Sequence, residues 1–222
     1  MTATSVAVFG YSGVVPNTVQ CIIDEVKASP ALNWAVASSD ALISRSRSVV
    51  ASRFLQSKAD VLVMIDHDLV WNPGDVRQLA EQALKHDAIV AGLYSKRALR
   101  KGFASVLRDE APGSFMDIGA DHVYEAKWLA SGFTAYPRTA FEKVQKAVAV
   151  DACGQLTRLG TAHYFDGHDF TPFFMPFMLG TDYLSEDWAF SERARRCGVK
   201  QLIWAKPKLL HIGEFPYSVV TA

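Results

Sequence analysis

The chain has 222 residues, enough for one domain with a substantial core. Half of them are hydrophobic and 21% are charged, which excludes wholesale disorder and a fibrous protein. The 23 basic residues match 23 acidic ones, so the formal charge is zero and the basic excess of a dedicated nucleic-acid binder is missing. The longest apolar stretches, such as Phe170 to Leu179, are broken by proline and too short to span a bilayer. Met1 to Ser5 carry neither a basic nor an apolar leader region. Three cysteines, Cys21, Cys153 and Cys197, lie too far apart for a zinc spacing and are odd in number, against a disulfide framework. A reduced, cytoplasmic protein without a transmembrane segment is the expectation.

In chain order, Val6 to Phe9 reads as a short buried strand running into the turn-like Gly10-Tyr11-Ser12-Gly13. Pro16-Asn17 opens a helix to about Ala28, Trp34 to Ala37 is a second strand, and Asp40 is placed to cap a helix running to about Ser57. Val61 to Ile65 is an uninterrupted apolar strand that ends abruptly at Asp66. Beyond Asn72-Pro73-Gly74, the residues Val76, Leu79, Ala80, Ala83 and Leu84 fall at i, i+3, i+4, i+7 and i+8, one apolar helix face. Ala88 to Leu93 is the next strand. Strands alternating with helices predict an α/β domain with a largely parallel sheet. The second half is less regular: short strands at Val106, Met116-Asp117-Ile118 and Val123 to Trp128, then Phe133 to Tyr136 before a helix from about Arg138 to Ala147. Residues 151–180, rich in Gly, His, Phe and Pro, suit an ordered loop or lid. A last helix, about Glu186 to Cys197, ends at Gly198 and leads into the strand Gln201 to Trp204. No repeat or polar linker divides the chain, so a single domain over residues 1–222 is expected.

The densest chemical feature is Asp66-His67-Asp68, directly after a buried strand. In parallel α/β sheets, ligands bind beyond the carboxyl ends of strands. Two carboxylates facing a ligand there repel unless a cation sits with them. Oxygen ligands select Mg²⁺ or Mn²⁺ and, with it, a phosphorylated substrate. The plainer alternative is a pair of turn-capping aspartates. Glu186-Asp187 opens the last helix, where acids also suit the helix dipole without any further role. His211, after a strand-like run in Leu209-Leu210-His211-Ile212-Gly213, is either a packed histidine or a member of a metal site. Lys96, Arg97, Arg100, Lys101 and Arg108 crowd one stretch, which is either a solvated loop or a surface for an anionic partner.

Taken in order, a strand ending in DxD, the Gly-aromatic segment Gly132-Phe133-Thr134, Glu186-Asp187 opening a helix and His211-Ile212-Gly213 near the end resemble the GT-A fold, metal-dependent (DxD) glycosyltransferases. Leu42 to Arg47 resembles the basic helix start these enzymes place near the donor, and Tyr183 to Gly198 resembles their acceptor-side helix. The resemblance implies a single GT-A-like (Rossmann-like) domain, with a mixed, mostly parallel sheet flanked by helices. Residues 1–95 would be its nucleotide-sugar-binding half and residues 96–222 its acceptor-binding half. It further implies a nucleotide-sugar donor whose diphosphate is held by Mn²⁺ or Mg²⁺, with Asp66, Asp68 and His211 as the metal set. In that set Asp68 is the more direct ligand and Asp66 lies nearer the ribose. Gly10, Tyr11 and Ser12 would line the nucleoside pocket, Arg45 or Arg47 would contact the phosphates, and His67 would lie on the donor side. Asp187 would be the base that takes the proton of an acceptor hydroxyl, with Glu186 orienting the acceptor, which favours inversion. The acceptor candidates are a modified DNA base, motivated by the basic stretch together with Arg193, Arg195 and Arg196, and a glycan. Trp71, Trp128, Phe173, Phe174 and Trp188 are either stacking platforms or core.

Two other readings stand beside this one. Val61 to Val70 also resembles the motif of haloacid-dehalogenase-like phosphatases, with Asp66 as nucleophile, Asp68 as general acid and Gly180-Thr181-Asp182 among later metal-binding acids. Against it, that motif usually sits on a domain's first strand. A non-enzymatic nucleotide- or metal-binding α/β domain is the third.

Overall fold

A computed structural model describes residues 3–11, 13–37, 40–97, 102–107, 119, 122–146, 148–150, 156–163, 167–213 and 216–218. The first half alternates as expected: β1 (Thr4–Phe9), α1 (Pro16–Ala28), β2 (Asn33–Ala37), α2 (Ile43–Gln56), β3 (Val61–Asp66), the short β4 (Leu69–Val70), α3 (Asp75–His86) and β5 (Ala88–Gly92). Then come β6 (Val106–Leu107), β7 (Val123–Trp128), β8 (Phe133–Pro137) and α4 (Arg138–Lys146). Short antiparallel pairs follow: β9 (Val148–Val150) with β10 (Leu156–Arg158), β11 (Ala162–His163) with β12 (Asp169–Phe170), and β13 (Phe177–Leu179) with β14 (Asp182–Leu184). The chain closes with α5 (Glu186–Arg196), β15 (Lys200–Trp204), β16 (Leu210–Ile212) and β17 (Pro216–Ser218). The proposed strand at Met116-Asp117-Ile118 lies outside the described residues.

Eight strands form one sheet in the order β2-β1-β3-β8-β5-β15-β7-β6. β1 pairs in parallel with β2 and β3, and β5 with β15, whereas β8 runs antiparallel to β3 and β5, and β7 antiparallel to β15 and β6. This is a mixed, mostly parallel α/β sheet flanked by five helices among the described residues. The period of two along its strands divides the core. Phe9, Leu62 and Met64 face α2, α4 and α5, packing with Phe54, Phe141 and Phe190. Val8, Val63 and Ile65 face the other way, onto Val76, Leu79 and Ala83 of α3. Leu84 falls off that buried stripe and is exposed.

Two local expectations are corrected. The residue flanking α2 is Leu42, not Asp40; the Asp40 carboxylate instead accepts the Leu42 N–H at 2.9 Å and holds Arg45 through two contacts. The aromatic-rich 170s segment contributes core: Phe173 and Phe174 are fully buried, and Phe174 stacks on Phe190 at 4.6 Å. Hydroxyls on one face of α2 hold this segment, Ser48 accepting the Phe174 N–H and Ser52 the Thr171 N–H, each at 3.0 Å. Among the described residues, no helix is long and apolar enough to cross a membrane.

The C-terminus of α2 is closed by a side chain from α4. Arg138 donates to the carbonyls of Phe54, Leu55, Ser57 and Ala59, and its guanidinium lies 4.8 Å from the Phe54 ring centroid. Phe54 and Leu55 lie in the last turn, where carbonyls lack i+4 partners, and Ser57 and Ala59 lie just beyond it. Arg138→Ala is expected to lower unfolding free energy by on the order of 3 kcal/mol, the scale of one or two hydrogen bonds to a charged group. Urea denaturation reads this directly. Arg138→Lys should restore only part of it, because an ammonium cannot reach four carbonyls as a planar fork does.

Candidate active site

The carboxyl ends of β1, β3, β5 and β15 meet the start of the antiparallel β8 along one edge of the sheet. Phe9 is in register with Asp66, Ile65 with Phe133, and the Asp66 N–H donates to the Gly132 carbonyl at 2.8 Å. Gly132 has no room for a side chain: a Cβ there would stand 2.5 Å from the Tyr94 hydroxyl and 2.8 Å from Oδ2 of Asp66. Tyr94 is buried just beyond β5 and accepts the Gly132 N–H through its hydroxyl at 2.9 Å. Burial, then the neighbouring Asp66 and Asp187 carboxylates, raise its phenol well above the ordinary range, so it stays protonated beside Asp66.

Arg47, on the buried face of α2, joins the two acidic motifs. Its Nη2 lies 2.6 Å from Oδ1 of Asp66 and its Nη1 lies 2.9 Å from Oε1 of Glu186. The guanidinium side chain is only 4% exposed. Burial alone would lower its pKa, but the charges of Asp66, Glu186 and then Asp187 more than reverse this and hold it as a cation. At Glu186 burial pushes the carboxyl up, Arg47 pulls it back, and the adjacent Asp187 adds to the rise.

Asp68 sits on the other side of the strand tip and is buried. Main-chain pairing brings His211 to it: β16 runs antiparallel to β4 with His211 opposite Leu69, and the Ile212 N–H donates to the Asp68 carbonyl at 2.8 Å. His211 Nδ1 lies 2.9 Å from the Ser95 carbonyl. A carbonyl can only accept, so Nδ1 carries a proton toward Ser95, and Nε2 is turned to Oδ1 of Asp68, 3.5 Å away. The second Asp68 oxygen, Oδ2, is met by Arg97 at 2.8 Å. Burial would raise the Asp68 carboxyl, but His211, Arg97 and His67 outweigh it and hold it below the usual carboxylate range. Asp68 and His211 are therefore brought together, while Asp66 is turned toward Arg47. Among the described residues no group of three or more His, Cys, Asp or Glu side chains is clustered to hold a metal ion.

Glu186 and Asp187 occupy the first turn of α5, as expected. Oδ1 of Asp187 accepts the Ser185 hydroxyl and, at 2.8 Å, the Trp188 N–H. Its Oδ2 has no hydrogen-bond partner among the described residues. Gly10 donates its N–H to Ala37, and a Cβ there would collide with the Gly13 carbonyl and stand 2.9 Å from His67 Cβ. The His67 main chain in turn bonds Phe9 and Val15, at 2.9 and 3.0 Å, fastening the loop after β1 to the DxD turn. Tyr11 is largely exposed on that loop, and Ser12 lies outside the described residues. Arg45 is clamped on Asp40.

Among the described residues, the members of the basic cluster have partners within the fold. Besides Arg97 on Asp68, Arg195 and Arg196 both hold the fully buried Glu192, which also accepts from Trp128. Arg193 is buried against the Phe177 ring and donates to the Phe173 carbonyl; burial lowers it to about 10. Lys96 stands over the Trp188 ring. Arg100, Lys101 and Arg108 lie outside the described residues. Trp71 and Trp128 are core, and Trp188 stacks on Trp128 at 5.2 Å. Tyr94 and Ser95 are site residues that sequence reasoning missed, and Arg97, read there as part of a basic stretch, is the partner of Asp68. The signal was their position, two to five residues beyond a strand whose end faces the same edge.

Arg47→Met is expected to cost about 3–5 kcal/mol at neutral pH, the scale of removing one partner of a buried ion pair. Without the guanidinium, the Glu186 carboxyl, which burial and Asp187 already push up, would lose the charge that pulls it back and rise further above its unfolded value. The deficit is then complete above that raised value and shrinks as pH falls toward the unfolded one. Urea midpoints of the variant and the wild type should accordingly converge between neutral pH and about pH 4.

No protein-family model matches the chain, and no curated protein sequence matches it. Solved structures do. A197 from STIV aligns with 18% identity over 96% of this chain and 86% of its own, at a TM-score of 0.59. GalNAc-T7, solved with UDP, GalNAc and Mn²⁺, aligns with 12% identity over 95% of this chain at a TM-score of 0.57. This chain spans only 43% of that second protein. At such identities the likeness is one of fold, and the fold is a GT-A-like α/β domain.

Proposed function

We propose that the protein is a metal-dependent glycosyltransferase that moves a sugar from a nucleotide-sugar donor to an acceptor hydroxyl with inversion. The observation that carries the reading is Arg47, whose one guanidinium binds both Asp66 and Glu186. It brings the DxD corner and the start of α5 to a single group, as a donor site beside an acceptor site would need. The GT-A-like fold and the Mn²⁺ and UDP of GalNAc-T7 agree with it.

Asp68 and His211 would hold Mn²⁺ or Mg²⁺. The fit rests on the donor chemistry: a buried carboxylate kept ionised, and an imidazole whose Nδ1 proton the Ser95 carbonyl accepts, with Nε2 facing that carboxylate. Such ions commonly take one or two protein ligands and complete their shell with substrate phosphates and water. When bound, the ion supplies Lewis-acid stabilisation of the departing diphosphate. Asp66 gives Oδ1 to Arg47 and keeps Oδ2 for the ribose side of the donor. The Gly10–Tyr11 turn lines the nucleoside. Glu186, steadied by Arg47, orients the acceptor. Asp187, with Oδ1 held by Ser185 and Trp188, presents Oδ2 to take the hydroxyl proton as the new carbon–oxygen bond forms and the bond to the diphosphate breaks. A glycan hydroxyl suits this surface better than a DNA base, because the described members of the basic cluster are already engaged.

The phosphatase reading needs Asp66 open as a nucleophile and Asp182 near it. Arg47 holds Asp66 at 2.6 Å, and Asp182 is an exposed residue of β14, outside any acidic metal cluster among the described residues.

Incubation with Mn²⁺ and a panel of nucleotide sugars should release free nucleoside diphosphate. Inorganic phosphate from small phosphoesters would favour the phosphatase instead, and neither product would leave a binding domain. Asp187→Asn is expected to lower turnover by about 10²- to 10⁴-fold while retaining the thermal shift given by nucleoside diphosphate with Mn²⁺. Asp68→Ala should abolish the Mn²⁺-dependent part of that shift.

A further inference from the structure

The two cations of the site are held in unlike ways. Arg47 is buried to the tip, whereas Arg97 pairs with an Asp68 side chain that is 4% exposed while being 52% exposed itself. Arg97 directly follows a main-chain segment, Tyr94 to Lys96, that is held by pairing. The Tyr94 carbonyl accepts the Ala104 N–H, Ser95 bridges to Phe103, and the Lys96 N–H donates to Gly102. The same segment supplies, through Ser95, the carbonyl that orients His211. The guanidinium can therefore leave Asp68 by side-chain rotation alone, without disturbing the imidazole.

A buried carboxylate without a counter-charge is unstable, and Arg97 is the countercharge present. A divalent ion on Asp68 and His211 would meet Oδ1, which faces Nε2, and put a second positive charge on a carboxylate whose Oδ2 Arg97 already holds at 2.8 Å. Two cations cannot share it in a poorly hydrated corner unless an anion comes with the second. A diphosphate is such an anion, and a guanidinium forks onto its oxygens as it does onto a carboxylate. Resting on the donor reading above, we propose that Arg97 is an exchangeable internal cation. It neutralises Asp68 while the metal is absent, and on metal binding it moves to the diphosphate of the nucleotide donor, making it a donor-binding residue.

The consequence is a pair of opposite effects from one substitution. Arg97→Ala removes a competitor for Asp68 and a partner for phosphate. The variant should bind Mn²⁺ alone more tightly than wild type, and uridine or guanosine diphosphate with saturating Mn²⁺ more weakly. Each change should be on the order of tenfold, the scale of one charge-assisted hydrogen bond. Arg97→Lys should fall between. Electron paramagnetic resonance of free Mn²⁺ measures the first and calorimetry the second; both are independent of turnover, and an exposed side chain makes the fold easy to keep. Mn²⁺ uptake by the variant alone, with none by wild type, supports the competition in its strongest form. Unchanged or weaker Mn²⁺ binding in Arg97→Ala overturns the proposal while leaving the metal site standing, provided Asp68→Ala abolishes uptake. Unchanged diphosphate affinity overturns the transfer to phosphate. If neither wild type nor Arg97→Ala takes up Mn²⁺, the metal reading fails and this proposal with it.

Discussion

A guanidinium removed from water must be surrounded by negative charge, and this requirement organises the molecule around Arg47. The residue sits on α2, yet its partners come from the tip of β3 and the first turn of α5, which are 120 residues apart in the chain between Asp66 and Glu186. Burial works against its charge, and Asp66, Glu186 and Asp187 together more than reverse that effect. The pairing therefore only works when the helix, the strand and the C-terminal segment are all in place. It ties the two halves of the sheet edge together at the point where a ligand would lie.

The rest of the site is delivered mostly by main chain. His211 reaches Asp68 because β16 pairs with β4, and the Ile212 N–H closes on the Asp68 carbonyl. Gly132 comes beside Asp66 because β8 inserts antiparallel between β3 and β5, and the missing Cβ lets the strand tip and the Tyr94 hydroxyl crowd against it. The small hydroxyl face of α2 does similar work on the other side. Ser48 and Ser52 bind the main chain of the 170s segment, so that Phe173 and Phe174 close over Phe141 and Phe190. Side-chain position in this corner thus follows from hydrogen-bond register, which leaves little freedom in the distances between the acids.

Much of the fold was legible because the first half obeys local rules. Val61 to Ile65 is apolar on both faces of its strand, as a central strand must be, and the α3 pattern buries Val76, Leu79, Ala80 and Ala83. The identity of the acidic motifs was legible for the same reason, since each abuts a clear strand end or helix start. What they bind was not. Which acid meets Arg47 and which meets His211 depends on β4–β16 pairing, and two-residue strands leave no periodic trace. Arg45 and Arg47, two residues apart on a helix, look alike in sequence, but one points to Asp40 near the surface and the other into the core. Phe173 and Phe174 stand in a proline-rich run without helical or strand spacing, so their burial is a tertiary outcome. Arg193, Arg195 and Arg196 read as a basic patch only until Glu192 is found buried among them.

Charge accounting around the two aspartates then separates their roles. Asp66 is bound to a cation that cannot leave, because the Arg47 side chain has no solvent to enter and two carboxylates hold it. A metal ion arriving at Asp66 would face a fixed positive charge 2.6 Å from the nearer oxygen. Asp68 is bound to a cation whose side chain is half in solvent, and its other oxygen faces an imidazole nitrogen rather than a charge-locked partner. Of two carboxylates in one motif, only the second is placed to exchange its counter-ion. The asymmetry is one of burial and pairing: the cation on Asp66 is fixed by the fold between two carboxylates, and the cation on Asp68 is half in solvent.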